Sequence, residues 1–198
     1  MMNIRILLFK KIVLRKDKLK CQLAFFLCLK TVCINDSQHM ETMIIWWEAI
    51  NLVENFKVEK VIFNCGEFNE LETDLIKVLD KKKISYCSCI KELNIYNSKL
   101  YFLNNKDYGN ENDNSSVIYT KLNNHKFLFM GNAGIEVEED LIEKYNLQNI
   151  DILKVGHHGS KTSSSKVFID DIEPKYSIIS VGKNNRYGHQ NKEILENL

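Results

Sequence analysis

The feature that most constrains the fold is a regular alternation of β-prone runs and amphipathic helical segments between Glu48 and Leu198. Apolar periodicity predicts helices at residues 48–56, 67–82, 136–146, 164–172 and 192–198. Strands are predicted at residues 58–64, 84–90, 93–95, 100–103, 116–122, 126–130, 150–155 and 176–181. Strands that alternate with helices are typical of α/β proteins. A hairpin predicted across Asn123-Asn124 argues against a purely parallel sheet, so we expect a layered sandwich of mixed sheets with outer helices.

Residues 1–47 lack this pattern. No glycine precedes Gly66, basic residues outnumber acidic ones, and neither a helical nor a strand period persists through the segment. We therefore predict that residues 1–47 are a non-family or frameshifted segment and that residues 48–198 form the carboxy-terminal part of one domain.

Charge and hydropathy exclude some functions. The net charge of +1 produces no field strong enough to hold nucleic acid by itself, so any polyanion binding would be local. The apolar run at residues 23–29 is too short to span a bilayer, and no convincing signal-peptide cleavage site follows it. We expect a soluble chain.

The six cysteines show neither metal-ligand spacing nor the spacing of a disulfide scaffold. Cys87 and Cys89 are one residue too close for a Cys-x-x-Cys zinc knuckle. We therefore expect reduced thiols in a cytosolic setting.

Three short segments, residues 130–133, 156–160 and 184–189, each follow a predicted strand. Function often lies on such loops, because the sheet fixes their position. In the second segment, His157 and His158 stand between glycines that allow close backbone approach, and neutral imidazole is a common metal ligand. A polar turn with two partly exposed histidines explains the pair equally well. His189 alone is weak evidence but shares the strand-end position.

Other polar residues near these histidines have simpler explanations. Lys161, Lys183 and Arg186 are candidates for a small rim that contacts phosphate. Scattered lysines are, however, more often just part of a solvated surface. The Thr-Ser-Ser-Ser run at residues 162–165 lacks a glycine elbow, so a helix cap is favoured over a nucleophile. The chain has no glycine-rich phosphate loop, which argues against nucleotide binding.

Taken together, LKVGHHGS at residues 153–160, the serine run, Pro174 and ISVGKNNRYGH at residues 179–189 resemble the hydrolase domain of the bacterial ComEC/Rec2 competence proteins. The similarity covers residues 48–198. It implies the αββα sandwich of metallo-β-lactamases and a metal-dependent, nuclease-like hydrolysis of phosphodiesters linked to DNA uptake. It also implies zinc or manganese as cofactor, nucleic acid and a separate membrane channel as partners, and a cytoplasmic or membrane-associated location.

The resemblance also assigns roles to residues of this chain. Metal ligands would be His157, His158 and Asn132, and His189 would be catalytic. Substrate contacts would come from Ser160, Lys161, Asn185 and Arg186.

This chain departs from the family pattern at several places. The amino-terminal strands of the family are not recognisable, so we expect the amino-terminal portion of the sandwich to be incomplete. Asn132 stands where the family has an Asp, and Gln190 stands where it has a Pro. The His-x-Asp-x-Asp-His cluster that precedes the helix beginning at Glu48 in the family is missing. We therefore expect weak metal binding and little or no turnover. Two alternatives stay open: an impaired enzyme of the family type, and a non-catalytic remnant or binding module of the same fold.

A frameshift would explain the missing cluster. Read from the third base of the His39 codon, the codons that can encode residues 39–46 allow the string His-Gly-Asp-Tyr-Asp-His-Met, which is the family motif. We predict a truncated or frameshifted copy in which the frame is restored near Trp47-Glu48. Nucleotide sequence without that alternative string would refute this hypothesis.

Overall fold

The computed structural model describes residues 4–9, 49–51, 53–55, 58, 60–95, 98–182 and 188–198. The strands are β1 (Ile4–Phe9), β2 (Lys60–Phe63), β3 (Ser85–Ser88), β4 (Glu92–Ile95), β5 (Ser98–Phe102), β6 (Ile118–Leu122), β7 (His125–Phe129), β8 (Ile152–Lys154) and β9 (Tyr176–Gly182). The helices are α1 (Glu70–Lys82), α2 (Ile135–Lys144), α3 (Lys166–Ile172) and α4 (Lys192–Asn197), and a 3-10 turn covers Gly156–Gly159. Residues 49–51 and 53–55 are also helical.

Seven of the described strands form one mixed sheet in the order β1-β9-β8-β7-β6-β5-β4. Strands β7, β8 and β9 are parallel to one another, and the other pairs are antiparallel. The predicted hairpin is confirmed: β6 and β7 pair Leu122 with His125, and both turn residues have positive φ, 48° at Asn123 and 67° at Asn124. Asparagine tolerates this left-handed backbone, which two-residue hairpin turns require.

A small parallel sheet, β2-β3, lies between the large sheet and α1. Ile62 of β2 packs with Leu100 and Ile118 of the large sheet. Phe63, the next residue, packs with Leu75 of α1. Successive strand residues point to opposite faces, so one short strand contacts both neighbouring layers.

The main core lies on the other face of the large sheet. Leu128, Leu153 and Ile179 come from its parallel strands and are fully buried. They pack with Val137 of α2 and Phe168 of α3. Helices therefore cover the outer faces of two stacked sheets, and the predicted α/β class is confirmed.

Local signals explain where the helices begin. Helix α1 begins at Glu70 rather than residue 67, because Asn69 and Glu72 form a reciprocal capping box. The predicted serine cap of α3 is confirmed, since the Ser165 side chain accepts a hydrogen bond from the Phe168 N–H.

Residues 1–47 were predicted to lie outside the family domain. Residues 4–9 of this segment form β1, which pairs antiparallel with β9 at the edge of the large sheet. Residues 39–46, where we placed the frameshift, lie outside the described part of the chain, so the frameshift stays a prediction. No helix among the described residues is long and apolar enough to cross a membrane.

The prediction of reduced thiols is wrong for two cysteines. Cys65 and Cys89 form a disulfide, with 4.4 Å between their Cα atoms. Each cysteine follows one strand of the parallel pair β2-β3, and parallel strands bring their carboxyl ends together. Cys87 is free, and the remaining cysteines, Cys21, Cys28 and Cys33, lie outside the described residues.

Candidate functional site

The three predicted motifs follow β7, β8 and β9. Because these strands are parallel neighbours, their carboxyl ends lie at the same edge of the sheet. Gly131-Asn132 follows β7, His157-His158 follows β8, and His189 follows β9. The topology therefore brings together residues that are up to 58 positions apart in the sequence.

The turn after β8 holds its two histidines in an uncommon backbone conformation. His157 has φ 41° and His158 has φ 56°, both in the left-handed region. This region costs a non-glycine residue about 1–2 kcal/mol. The His157 N–H donates to the Gly131 carbonyl over 3.0 Å, and the Ser160 N–H donates to the His157 carbonyl over 2.9 Å. These bonds fix the turn against the β7 loop.

The imidazole rings of the three histidines are neighbours. Ring centroids are 5.7 Å apart for His157 and His189, and 6.4 Å apart for His158 and His189. The Asn191 N–H donates to the Gly159 carbonyl over 2.9 Å, which ties the loop of His189 to the turn. All three side chains are half-buried. We call His157, His158, His189 and Asn132 the strand-end cluster.

The His158 ring has a defined tautomer. Its Nδ1 lies 2.6 Å from the Ser180 carbonyl oxygen, which can only accept a hydrogen bond. Nδ1 therefore carries the hydrogen, and in the neutral ring Nε2 carries the lone pair. Histidines that bind metal often donate to a backbone carbonyl in this way. The Nδ1 atom of His157 lies 3.3 Å from the Thr162 hydroxyl.

Asn132 is held by its backbone. Its N–H donates to the Ser115 hydroxyl over 3.0 Å. The preceding Gly131 has φ 59°, and a Cβ there would lie 2.9 Å from the Ser115 Cβ. Glycine is therefore required at this turn on both conformational and steric grounds. The amide of Asn132 offers a neutral oxygen where a carboxylate would bring negative charge.

A buried carboxylate holds the loop that follows the histidine turn. Glu138 of α2 is fully buried and accepts hydrogen bonds from the backbone N–H groups of Ser164 and Ser165. Burial raises the pKa of the Glu138 carboxyl, and these two hydrogen bonds oppose the rise.

Two further hydrogen bonds complete the support. The Ile135 N–H at the start of α2 donates to the Thr162 carbonyl over 3.1 Å. The buried Ser163 hydroxyl donates to the Gly156 carbonyl over 3.0 Å. Helix α2 thereby fixes the loop at residues 160–165, including the Thr162 hydroxyl beside His157.

The predicted substrate-binding residues lie in different environments. Ser160 is 6% exposed, and its hydroxyl lies 3.1 Å from that of Thr162. Lys161, the next residue, is exposed on the same loop. Asn185 and Arg186 lie outside the described residues. The roles of all four residues remain predictions.

Sequence reasoning missed two supporting residues, Glu138 and Ser115. A signal existed for Glu138, because it precedes the apolar Leu141 and Ile142 by three and four residues in a predicted helix. That spacing places it on the inward face. Ser115 follows a polar loop, and nothing in the local sequence marks its contact with residue 132.

The donor chemistry does not fit a closed metal site. Among the residues that the structure describes, no three His, Cys, Asp or Glu side chains are grouped so that they could hold an ion. Zinc needs at least three well-placed protein ligands. Two cations about 4 Å apart also repel each other unless anionic ligands offset their charge. The strand-end cluster offers three imidazoles and one neutral amide.

Three curated proteins are similar to parts of this chain. The ComE operon protein 3 of Bacillus subtilis is 29% identical over 154 residues, which cover 75% of this chain and 20% of that protein. The Recombination protein 2 of Haemophilus influenzae is 35% identical over 88 residues, which cover 44% of this chain and 11% of that protein. The Competence protein ComA of Neisseria gonorrhoeae is 36% identical over 86 residues, which cover 42% and 12%, respectively.

These relatives are all competence proteins of the ComEC family, so the chain is a homologue of part of the ComEC/Rec2 proteins, and the predicted resemblance is confirmed. The chain spans a fifth or less of the length of each relative. No protein-family model matches the chain.

Proposed function

We propose that the chain is a metal-dependent hydrolase domain of the metallo-β-lactamase fold, related to DNA uptake, whose turnover is strongly impaired in this copy. The substrate class is a phosphodiester, and the activity is nuclease-like. The observation that carries the proposal is the convergence of His157, His158 and His189 at one sheet edge. The layering of helices outside two stacked sheets agrees with the αββα sandwich that the resemblance implies.

The residues of the cluster have distinct proposed roles. His158, with its hydrogen on Nδ1, offers Nε2 as a ligand, and His157 and Asn132 are the neighbouring ligands. His189 is the proton-transfer group, because a neutral imidazole can accept a proton from water or return one to a leaving oxygen. Exposed Lys161 contributes positive charge beside the turn for a phosphate group.

Impairment follows from the donor set. If bound, zinc or manganese would supply the activation of water that the family type of hydrolysis uses. Among the described residues, no three His, Cys, Asp or Glu side chains are grouped to hold an ion, and the strand-end cluster brings no carboxylate to offset its charge. We propose weak binding of zinc or manganese and little or no turnover.

A second candidate function is a non-catalytic remnant or binding module of the same fold. Asn132 favours it, because an amide replaces the carboxylate of the family motif while the supporting hydrogen bonds around it are retained. In either case, the proposed partners are nucleic acid and a separate membrane channel, and the proposed location is cytoplasmic or membrane-associated. These follow from the similarity to competence proteins.

Metal content and nuclease rate test the proposal together. We expect purified protein to hold far less than one zinc or manganese ion per chain by elemental analysis. We expect a single-stranded DNA substrate with added manganese to be cut slowly or not at all. Any residual rate should fall in His157→Ala and stay unchanged in His125→Ala, a matched control on an exposed hairpin.

Two results would contradict the proposal, one by showing full activity and the other by showing that the cluster is not the site. One or two tightly held ions with a rapid rate abolished by His157→Ala would show an unimpaired enzyme. A rate that His157→Ala leaves unchanged would place the chemistry outside the strand-end cluster.

A further inference from the structure

The disulfide between Cys65 and Cys89 closes one end of the small sheet. It joins the residues that follow β2 and β3, and the Cys89 N–H donates to the Phe63 carbonyl over 3.2 Å. Cys65 is 4% exposed, whereas Cys89 is exposed. The disulfide therefore joins a residue at the surface to a residue of the packed interior.

The backbone of Cys89 has an uncommon conformation that the disulfide helps to hold. Its φ is 52°, in the left-handed region that a non-glycine residue leaves when nothing holds it there. Breaking the disulfide removes one constraint on this conformation, so the end of β3 can relax. Reduction should therefore move backbone as well as separate two sulfur atoms.

The residue after Cys65 contacts the loop that leads to the strand-end cluster. Gly66 has φ 111°, and a Cβ there would lie 2.9 Å from the Asn114 Nδ2 atom. The buried Asn114 side chain is fixed on both sides: it donates to Asp107 over 2.8 Å and accepts from the Tyr108 N–H over 2.6 Å. A movement of Gly66 would therefore displace the Asn114 side chain.

The next contacts reach the histidines. Ser115 follows Asn114 and accepts the hydrogen bond of the Asn132 N–H over 3.0 Å. The adjacent Gly131 accepts the hydrogen bond of the His157 N–H over 3.0 Å. A continuous path of packed and hydrogen-bonded residues thus runs from the disulfide to the cluster.

We propose that Cys65 and Cys89 form a reversible redox clamp that fixes the loop of Asn114 and Ser115, and through it the strand-end cluster. Oxidation holds Asn132 and His157 in the observed geometry, and reduction loosens them. As regulation of a hydrolase site, this inference rests on the proposed function. The structural coupling itself can be tested without any activity.

The clamp opens by thiol–disulfide exchange. A glutathione thiolate attacks the Cys89 sulfur, which forms a mixed disulfide and releases the Cys65 thiolate. A second glutathione thiolate attacks the glutathione sulfur of the mixed disulfide and releases the Cys89 thiolate. The net change converts one protein disulfide and two glutathiones into two protein thiols and one oxidised glutathione. Closing is the reverse reaction, with oxidised glutathione as the oxidant.

Amide hydrogen exchange, measured by NMR on the full chain in oxidised and reduced glutathione buffers, tests the clamp. Alkylation of free thiols followed by peptide mapping gives the redox state of Cys65 and Cys89 in each buffer. We expect the amides of Asn114, Ser115 and Asn132 to exchange at least tenfold faster after reduction. The amide of Ile169, which donates to Ser165 within α3, should keep its rate. The double variant Cys65→Ser/Cys89→Ser should behave as the reduced form in both buffers.

Cys87→Ser is the matched control, because this cysteine lies on β3 but outside the disulfide. It should retain the redox response of the unmodified chain. Equal exchange rates of the three probe amides in both buffers would overturn the proposal. Free thiols at both Cys65 and Cys89 in oxidised glutathione, found by alkylation and peptide mapping, would also overturn it. Zinc binding, measured separately by calorimetry, bears on the proposed function alone, so the two ideas can fail independently.

Discussion

The strand-end cluster has a supporting side, where other residues hold its loops, and a ligand side, where its proposed ligands lie. The two sides differ in the interactions that they make. Behind the histidines, the Glu138 carboxylate and the Ile135 N–H bind the loop at residues 160–165, and the Ser163 hydroxyl of this loop donates to the Gly156 carbonyl. In front of them, Asn132, one of the proposed ligands, carries a neutral amide instead of a carboxylate. The hydrogen bonds that hold this loop therefore do not depend on which ligands the cluster presents.

The largest effect is expected on the supporting side. Glu138→Ala removes the acceptor of two backbone N–H groups and leaves them buried without a carboxylate. We expect the free energy of unfolding to fall by about 2–5 kcal/mol. Urea denaturation followed by circular dichroism measures this change.

Glu139→Ala is the control for that experiment, since Glu139 is exposed on the same helix. It should change the free energy of unfolding by less than about 0.5 kcal/mol. Equal stability of the two variants would mean that the buried carboxylate does not support the loop.

The same carboxylate predicts a smaller effect of pH. Burial raises the pKa of Glu138 in the folded chain above its value in the unfolded chain. Its contribution to stability is therefore present at acidic pH and is lost as the pH rises through the folded-state pKa. Relative to Glu138→Gln, the unmodified chain should lose stability as the pH rises from the usual pKa of a glutamic acid through the raised pKa of Glu138 in the folded chain. A stability difference that is constant with pH, or that changes in the opposite direction, would contradict this sign.

The smallest effect concerns the ligand side. His157 occupies the left-handed region at φ 41°, where glycine is not strained. His157→Gly should therefore be about 1 kcal/mol more stable than His157→Ala, in which the strain remains. Thermal unfolding of the two variants makes the comparison. Equal melting temperatures would show that the histidine turn stores no strain.

Local patterns in the sequence predicted the local structure well. The hairpin followed from Asn123-Asn124, and the start of α3 followed from a serine cap. Helix α1 began three residues later than predicted, because the capping box of Asn69 and Glu72 was overlooked. These features depend on residues a few positions apart, so the sequence around them carries the information.

Contacts between distant segments were predicted only where a motif marked them. The histidines after β8 and β9 were recognised because both followed a predicted strand and matched a family motif. No motif marked the pairing of Cys65 with Cys89, which depends on the parallel alignment of β2 and β3. The spacing of Glu138 to Leu141 and Ile142 indicates burial, but no motif marks its hydrogen-bond partners, the N–H groups of Ser164 and Ser165.

The most direct test of the account is the affinity of Asn132→Asp for zinc and manganese, measured by isothermal titration calorimetry. If the scaffold is intact and the ligand side lacks a carboxylate, this variant should bind at least about tenfold more tightly than the unmodified chain, which corresponds to about 1.4 kcal/mol. Its free energy of unfolding without metal should stay within about 0.5 kcal/mol of the unmodified value. Unchanged affinity in a stably folded variant would contradict the claim that the supporting side still presents a site.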